Sequence, residues 1–347
     1  NGMKIVLNDG ATGFAKTEDG HLEVQTNSGK NYVADVVILA IGVRPDTTLA
    51  KLAGLEIGKR GGIVVDENMR TSNPSIFAAG DVVEVTDFMT KEQTLVALAG
   101  PANRQGRIAA DVMAGRKASF RGTQGTSVIG FFDGTVAWTG VSEKTLVRLG
   151  DKDYEKIYIY PNSHAGYYPG AKPIAMKVIF RKSDGKLLGA QALGLDGVDK
   201  RISVFAAYLQ MGATIYDLQE AELCYAPPFG SAKDPINFAG FVAADVLAGD
   251  MPISHWPEAK KGFMLDVREV FELAVEKVDG VLNIPLGQLR DRLNELPKDK
   301  TIHVICRSGQ RAYYATRMLL QHGFDAKNVS GGMLSLAQTH LFSSNPD

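Results

Sequence analysis

The sequence predicts a multidomain chain of mixed class, α/β at both ends with an α+β segment between. Three stretches carry that prediction. Residues 34–42 (Ala-Asp-Val-Val-Ile-Leu-Ala-Ile-Gly) are apolar almost throughout, the pattern of a strand covered on both faces of a parallel sheet. Residues 126–250 place their strand patterns first and their helix patterns afterwards. Near the C-terminus, Ile302-His303-Val304-Ile305 reads as a strand and runs through Cys306-Arg307-Ser308-Gly309-Gln310-Arg311 into a helical pattern over 312–322.

Taken in order, residues 3–7, 22–26 and 33–41 read as strands separated by Asp-Gly and Ser-Gly turns. Asn1 does not read as a natural beginning: Lys4-Ile5-Val6-Leu7 is already strand-like, so a front portion is expected to precede it. A short helix follows at 48–53, then a strand at 62–66. The segment Thr71-Ser72-Asn73-Pro74-Ser75-Ile76-Phe77-Ala78-Ala79-Gly80-Asp81 reads as a strand closing in small residues and an acid. A further helix begins near Leu98-Ala99 and continues through Gly106 to Asp111. Strands at 128–132 and 136–140 flank an Asp-Gly turn, and a helix starts from Ser142. Strands near 154–160, 173–180 and 187–193 lead to helices at 199–211, 214–221 and 234–248. Met251 to Pro257 has two prolines and no periodicity, and reads as a linker.

With 347 residues the chain is long enough for two or three domains. Lys and Arg (38) nearly balance Asp and Glu (39), so nothing in the charge favours nucleic acid or a membrane surface. No apolar run approaches the about 20 residues of a membrane span, and the start carries no signal-peptide pattern. Two cysteines, Cys224 and Cys306, are too few for a disulfide framework and suit a reducing cytoplasm. No metal site is expected.

Cys306 is the chemical focus. A cysteine at the mouth of a strand-to-helix turn faces backbone N–H groups and the positive end of the helix dipole, and Arg307 and Arg311 add positive charge. All of these favour an anionic sulfur. Gly309 lets the loop fold back so that its N–H groups converge. With Arg307, Ser308, Gly309 and Gln310 between Cys306 and Arg311, the cradle is tight and suits one terminal sulfur. A buried structural cysteine is the plainer alternative, but such residues seldom come with Arg-x-x-x-Arg and a glycine turn.

The loop resembles the active loop of rhodanese domains, which hold a cysteine persulfide. Phe263-Met264-Leu265-Asp266-Val267-Arg268-Glu269, Gly280-Val281-Leu282-Asn283-Ile284-Pro285-Leu286 and Val329-Ser330-Gly331-Gly332-Met333 resemble further landmarks of that family, in the family's order, over about 256–342. Residues 37–42 with 71–81 resemble the second half of the FAD domain of pyridine nucleotide–disulfide oxidoreductases. That resemblance implies that Gly80 and Asp81 approach FAD, Asp81 through its ribityl chain, and that the helix starting at Leu98 and Ala99 points at the flavin ring. It divides the chain into the end of an NAD(P)H-binding domain (1–41), the second half of an FAD domain (42–122), an α+β interface domain that builds a homodimer (123–250), a linker (251–256) and a rhodanese domain (257–342).

Within that family, Leu223-Cys224-Tyr225-Ala226-Pro227-Pro228-Phe229 lacks the His-Pro pair of glutathione reductase relatives and resembles coenzyme A–disulfide reductases that carry a C-terminal rhodanese domain. The resemblance implies that Tyr225 and one of Tyr167 or Tyr168, from His164-Ala165-Gly166-Tyr167-Tyr168-Pro169-Gly170, reach a departing CoA thiolate across the dimer interface. Packed surface turns are the plainer reading of both loops; Cys224 is expected as a packed small residue and His164 as structural. The implied function is NADH- or NADPH-driven, FAD-dependent reduction of CoA disulfide, CoA persulfide or polysulfide, with sulfane sulfur carried on Cys306. A sulfurtransferase on a dimerising scaffold and an NADH oxidase or peroxidase are the alternatives. No Gly-x-Gly-x-x-Gly fingerprint occurs, and no cysteine lies in the flavin segments.

Overall fold

The computed structural model describes residues 2–336; the C-terminal end expected for the rhodanese domain, residue 342, lies outside them. Contacts divide the chain into two units, with the first at residues 1–44. In that unit three strands, β1 (Ala11–Lys16), β2 (Leu22–Thr26) and β3 (Asn31–Ala34), form an antiparallel meander in the order β1-β2-β3. β1 was not foreseen, whereas the strands expected at 3–7 and beyond Ala34 do not form. Ile38 and Ile41 are 85% and 87% exposed. The apolar run carries the composition of a buried strand, but a strand exists only against a partner ladder. None lies beside it among the described residues.

The second unit opens with α1 (Thr48–Leu52), β4 (Ile63–Val64), β5 (Val83–Thr86), β6 (Gln93–Thr94) and α2 (Ala99–Met113). β4 pairs parallel with β5, which pairs antiparallel with β6. Met69, Val83, Val85, Ala109 and Phe120 form the core beneath α2. The strand expected at the end of 71–81 is instead a turn. Asn73 O accepts from Ile76 N–H at 2.9 Å and Ile76 O from Thr71 N–H at 3.0 Å. Pro74, which has no N–H to give a ladder, sits inside that turn.

A five-stranded antiparallel sheet follows, built from β7 (Ser127–Phe131), β8 (Gly134–Gly140), β9 (Tyr154–Ile159), β10 (Ile174–Arg181) and β11 (Leu187–Gly194) in the order β7-β8-β11-β10-β9, with α3 (Glu143–Leu149) between β8 and β9. Then come α4 (Val198–Met211), α5 (Ile215–Gln219) and α6 (Pro235–Leu247). Caps start these helices where the sequence supplies them: Ser142 accepts from Thr145 N–H, and Thr214 and Asp234 form capping boxes, the latter with Pro235 in the first turn. One face of the sheet buries Ile157, Ile174, Val178 and Phe180 against Ile202, Phe205 and Leu209 of α4 and Ile236, Ala239 and Ala243 of α6. Each large apolar side chain buried there contributes about 1.5–3 kcal/mol. Strands before helices, as expected, give an α+β layer.

The last sheet is parallel. It contains β12 (Ile253–Ser254), β13 (Phe263–Asp266), β14 (Leu282–Asn283), β15 (Ile302–Ile305) and β16 (Ala326–Val329), in the order β12-β16-β15-β13-β14. The helices α7 (Trp256–Ala259), α8 (Val270–Leu273) and α9 (Gln310–Gln321) connect it, with a 3₁₀ segment at Leu286–Glu295. Met251 to Pro257, read as a linker from its prolines, is built into this layer. Ile253–Ser254 pairs with Asn328 and Val329, and Met251 and Trp256 are buried. Trp256 Nε1–H donates to Gly332 O at 3.1 Å. Cys306 directly follows the central strand β15 and so stands at the carboxyl end of the sheet, where parallel α/β layers place their ligands.

Candidate active sites

Cys306 is 1% exposed, and its Sγ accepts hydrogen bonds from Gly309 N–H at 3.2 Å and Ala312 N–H at 3.3 Å. The loop converges on the sulfur because Gly309 takes φ +96°, a left-handed conformation that glycine adopts without strain. A second strand-end loop clasps it: Met333 N–H donates to Cys306 O at 2.9 Å and Leu334 N–H to Arg307 O at 3.0 Å. That clasp requires Gly332, since a Cβ there would stand 2.2 Å from Cys306 O. Asn328 Nδ2–H donates to Gly309 O at 3.0 Å, fixing the loop from below.

Arg311 closes the cradle through a partner that the sequence reading missed. Its two Nη atoms donate to the carboxylate oxygens of Glu272, at 2.6 and 2.7 Å. These bonds hold the Glu272 carboxyl down at about 2, while Arg311 is raised first by the same pair. Glu272 also accepts from Glu269 N–H at 3.0 Å as the capping box of α8, and that local signal is the one by which the sequence could have singled it out. Arg307 is exposed and takes no part in the pairing. Beneath the loop, Arg268 and Asp266 form a buried two-pronged ion pair with Nη2–Oδ2 at 2.7 Å, and Asn283 Nδ2–H donates to the carbonyls of both.

The second site lies in the antiparallel layer. Tyr167 and Tyr225 meet through their phenol oxygens at 2.8 Å, and this bond is the first cause raising the Tyr225 phenol above its ordinary range. Tyr168, the other candidate, instead packs edge-on against His164 with ring centroids 6.0 Å apart. His164 is buried and bonded to Ser163 Oγ and Pro169 O, a structural residue as expected. Cys224 departs from expectation: it is exposed, in an irregular segment that pairs with no strand among the described residues. The two tyrosine loops are tied together from behind. Arg201, 2% exposed, donates from Nη2 to Ser163 O at 2.7 Å and to Asp234 Oδ2 at 2.8 Å, and Ala165 N–H donates to Gly230 O at 2.8 Å.

The residues expected to face FAD also come together. Gly80 N–H donates to Gln105 Oε1 of α2 at 2.8 Å, which sets Gly80 and Asp81 against that helix. α2 starts at Ala99 after Leu98, no side chain caps its first turn, and that turn holds no acid. Asp81 is exposed, and its carboxylate has no partner among the described residues. An uncapped helix start beside a free carboxylate fits a ligand with an electron-rich ring and a hydroxylated chain, as FAD has. The tyrosine pair and Cys306 stand on separate layers and form two distinct sites.

Three stretches match known families: pyridine nucleotide-disulphide oxidoreductase at residues 1–106, the dimerisation domain of that family at 126–234, and a rhodanese-like domain at 254–339. The chain is 36% identical over 226 residues to a coenzyme A disulfide reductase of Staphylococcus epidermidis, covering 65% of this chain and 51% of that protein. It is 36% identical over 215 residues to a CoA-dependent NAD(P)H sulfur oxidoreductase of Pyrococcus furiosus, covering 62% and 48%. The structure of reduced Bacillus anthracis CoADR-RHD superposes with a TM-score of 0.89 at 48% identity, over 94% of this chain and 59% of that one. An NAD-dependent persulfide reductase from A. fulgidus gives 0.87 at 37% identity, over 96% and 61%. The chain spans about half the length of the curated relatives it matches. Its layers, their order and these matches agree: the chain carries segments of pyridine nucleotide-disulphide oxidoreductase domains followed by a C-terminal rhodanese-like domain.

Proposed function

We propose that this chain serves NAD(P)H-driven, FAD-dependent reduction of CoA disulfide, CoA persulfide or polysulfide, with Cys306 as the carrier of sulfane sulfur. The observation that carries the reading is the Cys306 cradle, in which two backbone N–H groups aim at one sulfur and an Arg311–Glu272 pair closes the loop. The names of the relatives supply the sulfur and CoA chemistry.

In the carrier step the Cys306 thiolate attacks the outer sulfur of a donor such as thiosulfate. The Cys–S–S bond forms, the donor S–S bond breaks, and sulfite leaves with the electron pair. The same N–H groups then face the terminal persulfide anion. A thiolate acceptor takes that outer sulfur, returning Cys306 to thiolate. Reduction of the resulting persulfide consumes one hydride from NAD(P)H and one proton, and releases hydrogen sulfide and the acceptor thiolate. Bound FAD supplies the two-electron relay for that reduction. Asp81 would take a hydroxyl of its chain, and the first turn of α2, from Ala99, would face its ring. Tyr225, hydrogen-bonded to Tyr167, would give a proton to a departing thiolate at the interface of a homodimer. A reducing, cytoplasmic setting suits the free cysteines; no helix among the described residues is long and apolar enough to cross a membrane.

A second reading, a sulfurtransferase on a dimerising scaffold, is favoured by the completeness of the Cys306 loop within this chain. Cys306→Ser separates the two. The first reading expects loss of thiosulfate:cyanide transfer and of NADH-dependent polysulfide reduction while CoA disulfide reduction continues. In the unsubstituted chain, transfer activity with no NADH consumption on any sulfur substrate would leave the second.

A further inference from the structure

The outer strand of the antiparallel sheet runs against the turn that clasps the sulfur loop. β9 pairs with β10 on one side only, and an edge strand leaves main-chain N–H groups that need acceptors elsewhere. Tyr158 N–H finds one in Ser330 Oγ, at 3.0 Å. Ser330 is 6% exposed and directly follows β16, at the head of the Ser330-Gly331-Gly332-Met333 turn whose last N–H holds Cys306 O. Its main chain is committed to the rhodanese-like layer: its N–H donates to Ser254 O at 2.9 Å, and its O accepts from Ser335 Oγ–H at 2.8 Å. The hydroxyl is the part of Ser330 that reaches across to the other layer.

Gly331 brings the two layers closer still. Its φ is +76°, and a Cβ there would stand 2.7 Å from Tyr158 Cβ, so glycine is what admits the approach. On its other side Gly331 abuts the sulfur loop, since a Cβ on Gly309 would lie 3.4 Å from Gly331 N. Gly309 N–H is one of the two donors that hold Cys306 Sγ. A continuous run of contacts therefore leads from Tyr158 through Ser330 and Gly331 to Gly309 and the sulfur. Away from the loop, two side-chain contacts fasten the same seam: Glu155 Oε1 to His255 Nε2 at 3.0 Å, and Arg317 Nη1 to Asp250 Oδ1 at 2.7 Å.

We propose that Ser330 is a positioning residue for sulfur transfer. By accepting from Tyr158 N–H it makes the antiparallel layer part of the Cys306 cradle, and it keeps the loop N–H groups aimed at the sulfur. The inference rests on the carrier role of Cys306 and adds that the cradle is complete only where the two layers are docked.

Ser330→Ala in the full chain tests this, because it removes one oxygen atom and leaves the main-chain bonds in place. Hydrogen exchange read by mass spectrometry should rise about fivefold in the peptide carrying Gly309 and Ala312, and stay unchanged in β15 and the rest of α9. Thiosulfate:cyanide transfer should lose about fivefold in kcat with KM held. Ser330→Thr keeps the acceptor and should restore both readings. Glu155→Gln, which alters the seam without touching the clasp, should leave both at their original values. Unchanged exchange at Gly309 and Ala312 in Ser330→Ala overturns the inference. So does faster exchange spread evenly over β15 and α9, the mark of a merely structural role. The exchange reading decides the matter even if the unsubstituted chain transfers no sulfur, a result that would sink the carrier role of Cys306 alone.

Discussion

Tyr167 and Tyr225, 58 positions apart in sequence, share a hydrogen bond of 2.8 Å between their phenol oxygens. The bond joins Tyr225 to Tyr167 rather than to its neighbour Tyr168, and raises the Tyr225 phenol. Tyr167→Phe should therefore bring Tyr225 ionisation down towards the ordinary tyrosine range, read by ultraviolet titration against the Tyr225→Phe background. An unmoved transition would show that the pair does not persist in solution.

In the proposed whole enzyme, Tyr225→Phe should lower CoA disulfide reduction by about one to two orders of magnitude, at or below the usual general-acid contribution, and leave FAD content unchanged. Unaltered turnover would make the tyrosine pair a packing feature.

Glu272 sets an acid limit on the loop. Its carboxyl falls from 4.5 to about 2 in the folded chain. A depressed carboxyl contributes stability above the unfolded value, and that contribution is lost as pH falls through the folded value. The melting temperatures of the wild type and Glu272→Gln should differ at neutral pH and converge between about pH 4.3 and pH 2. A constant gap across that window would mean that the Arg311 pair is not the source of the stabilisation.

How much of this was legible in sequence follows the distance over which each feature is built. The Cys306 loop was legible because its cysteine, glycine turn and arginine lie within six residues, and a helix pattern begins beside them. The partners that hold it were not: Glu272 is 39 positions from Arg311, and Asn328 is 19 from Gly309. Arg201 and Asp234, 33 apart, support the tyrosine loops in the same way, and although Asp234 reads locally as a helix cap, nothing local links it to Arg201. The run at 34–42 shows the converse error, since apolar composition announces burial but not the neighbour that provides it. Pro252 and Pro257 suggested a linker, yet a two-residue edge strand tolerates a proline on either side.

Gly332→Ala should disable the sulfur loop without touching its chemistry. The new Cβ would meet Cys306 O at 2.2 Å, at a residue whose φ is +53°. We expect destabilisation of at least about 2 kcal/mol in denaturant unfolding, together with loss of sulfur transfer. A stable, active variant would mean that the clasp from Met333 to Cys306 is dispensable.

A two-fold dimer through residues 123–250 is expected from the matched dimerisation domain, where Phe132, Tyr167 and Phe229 expose 69%, 77% and 70% of their surface. Sedimentation should give twice the chain mass at micromolar concentration, whereas a monomer would remove the shared-site role of Tyr225.

The most direct test of the central claim is the mass of the intact chain after exposure to thiosulfate and removal of excess donor. The account predicts one added sulfur atom per chain, located to the Cys306 peptide, released by cyanide, and absent from Cys306→Ser. Added sulfur on Cys224 with none on Cys306, or no added sulfur at all on a folded chain, would contradict it.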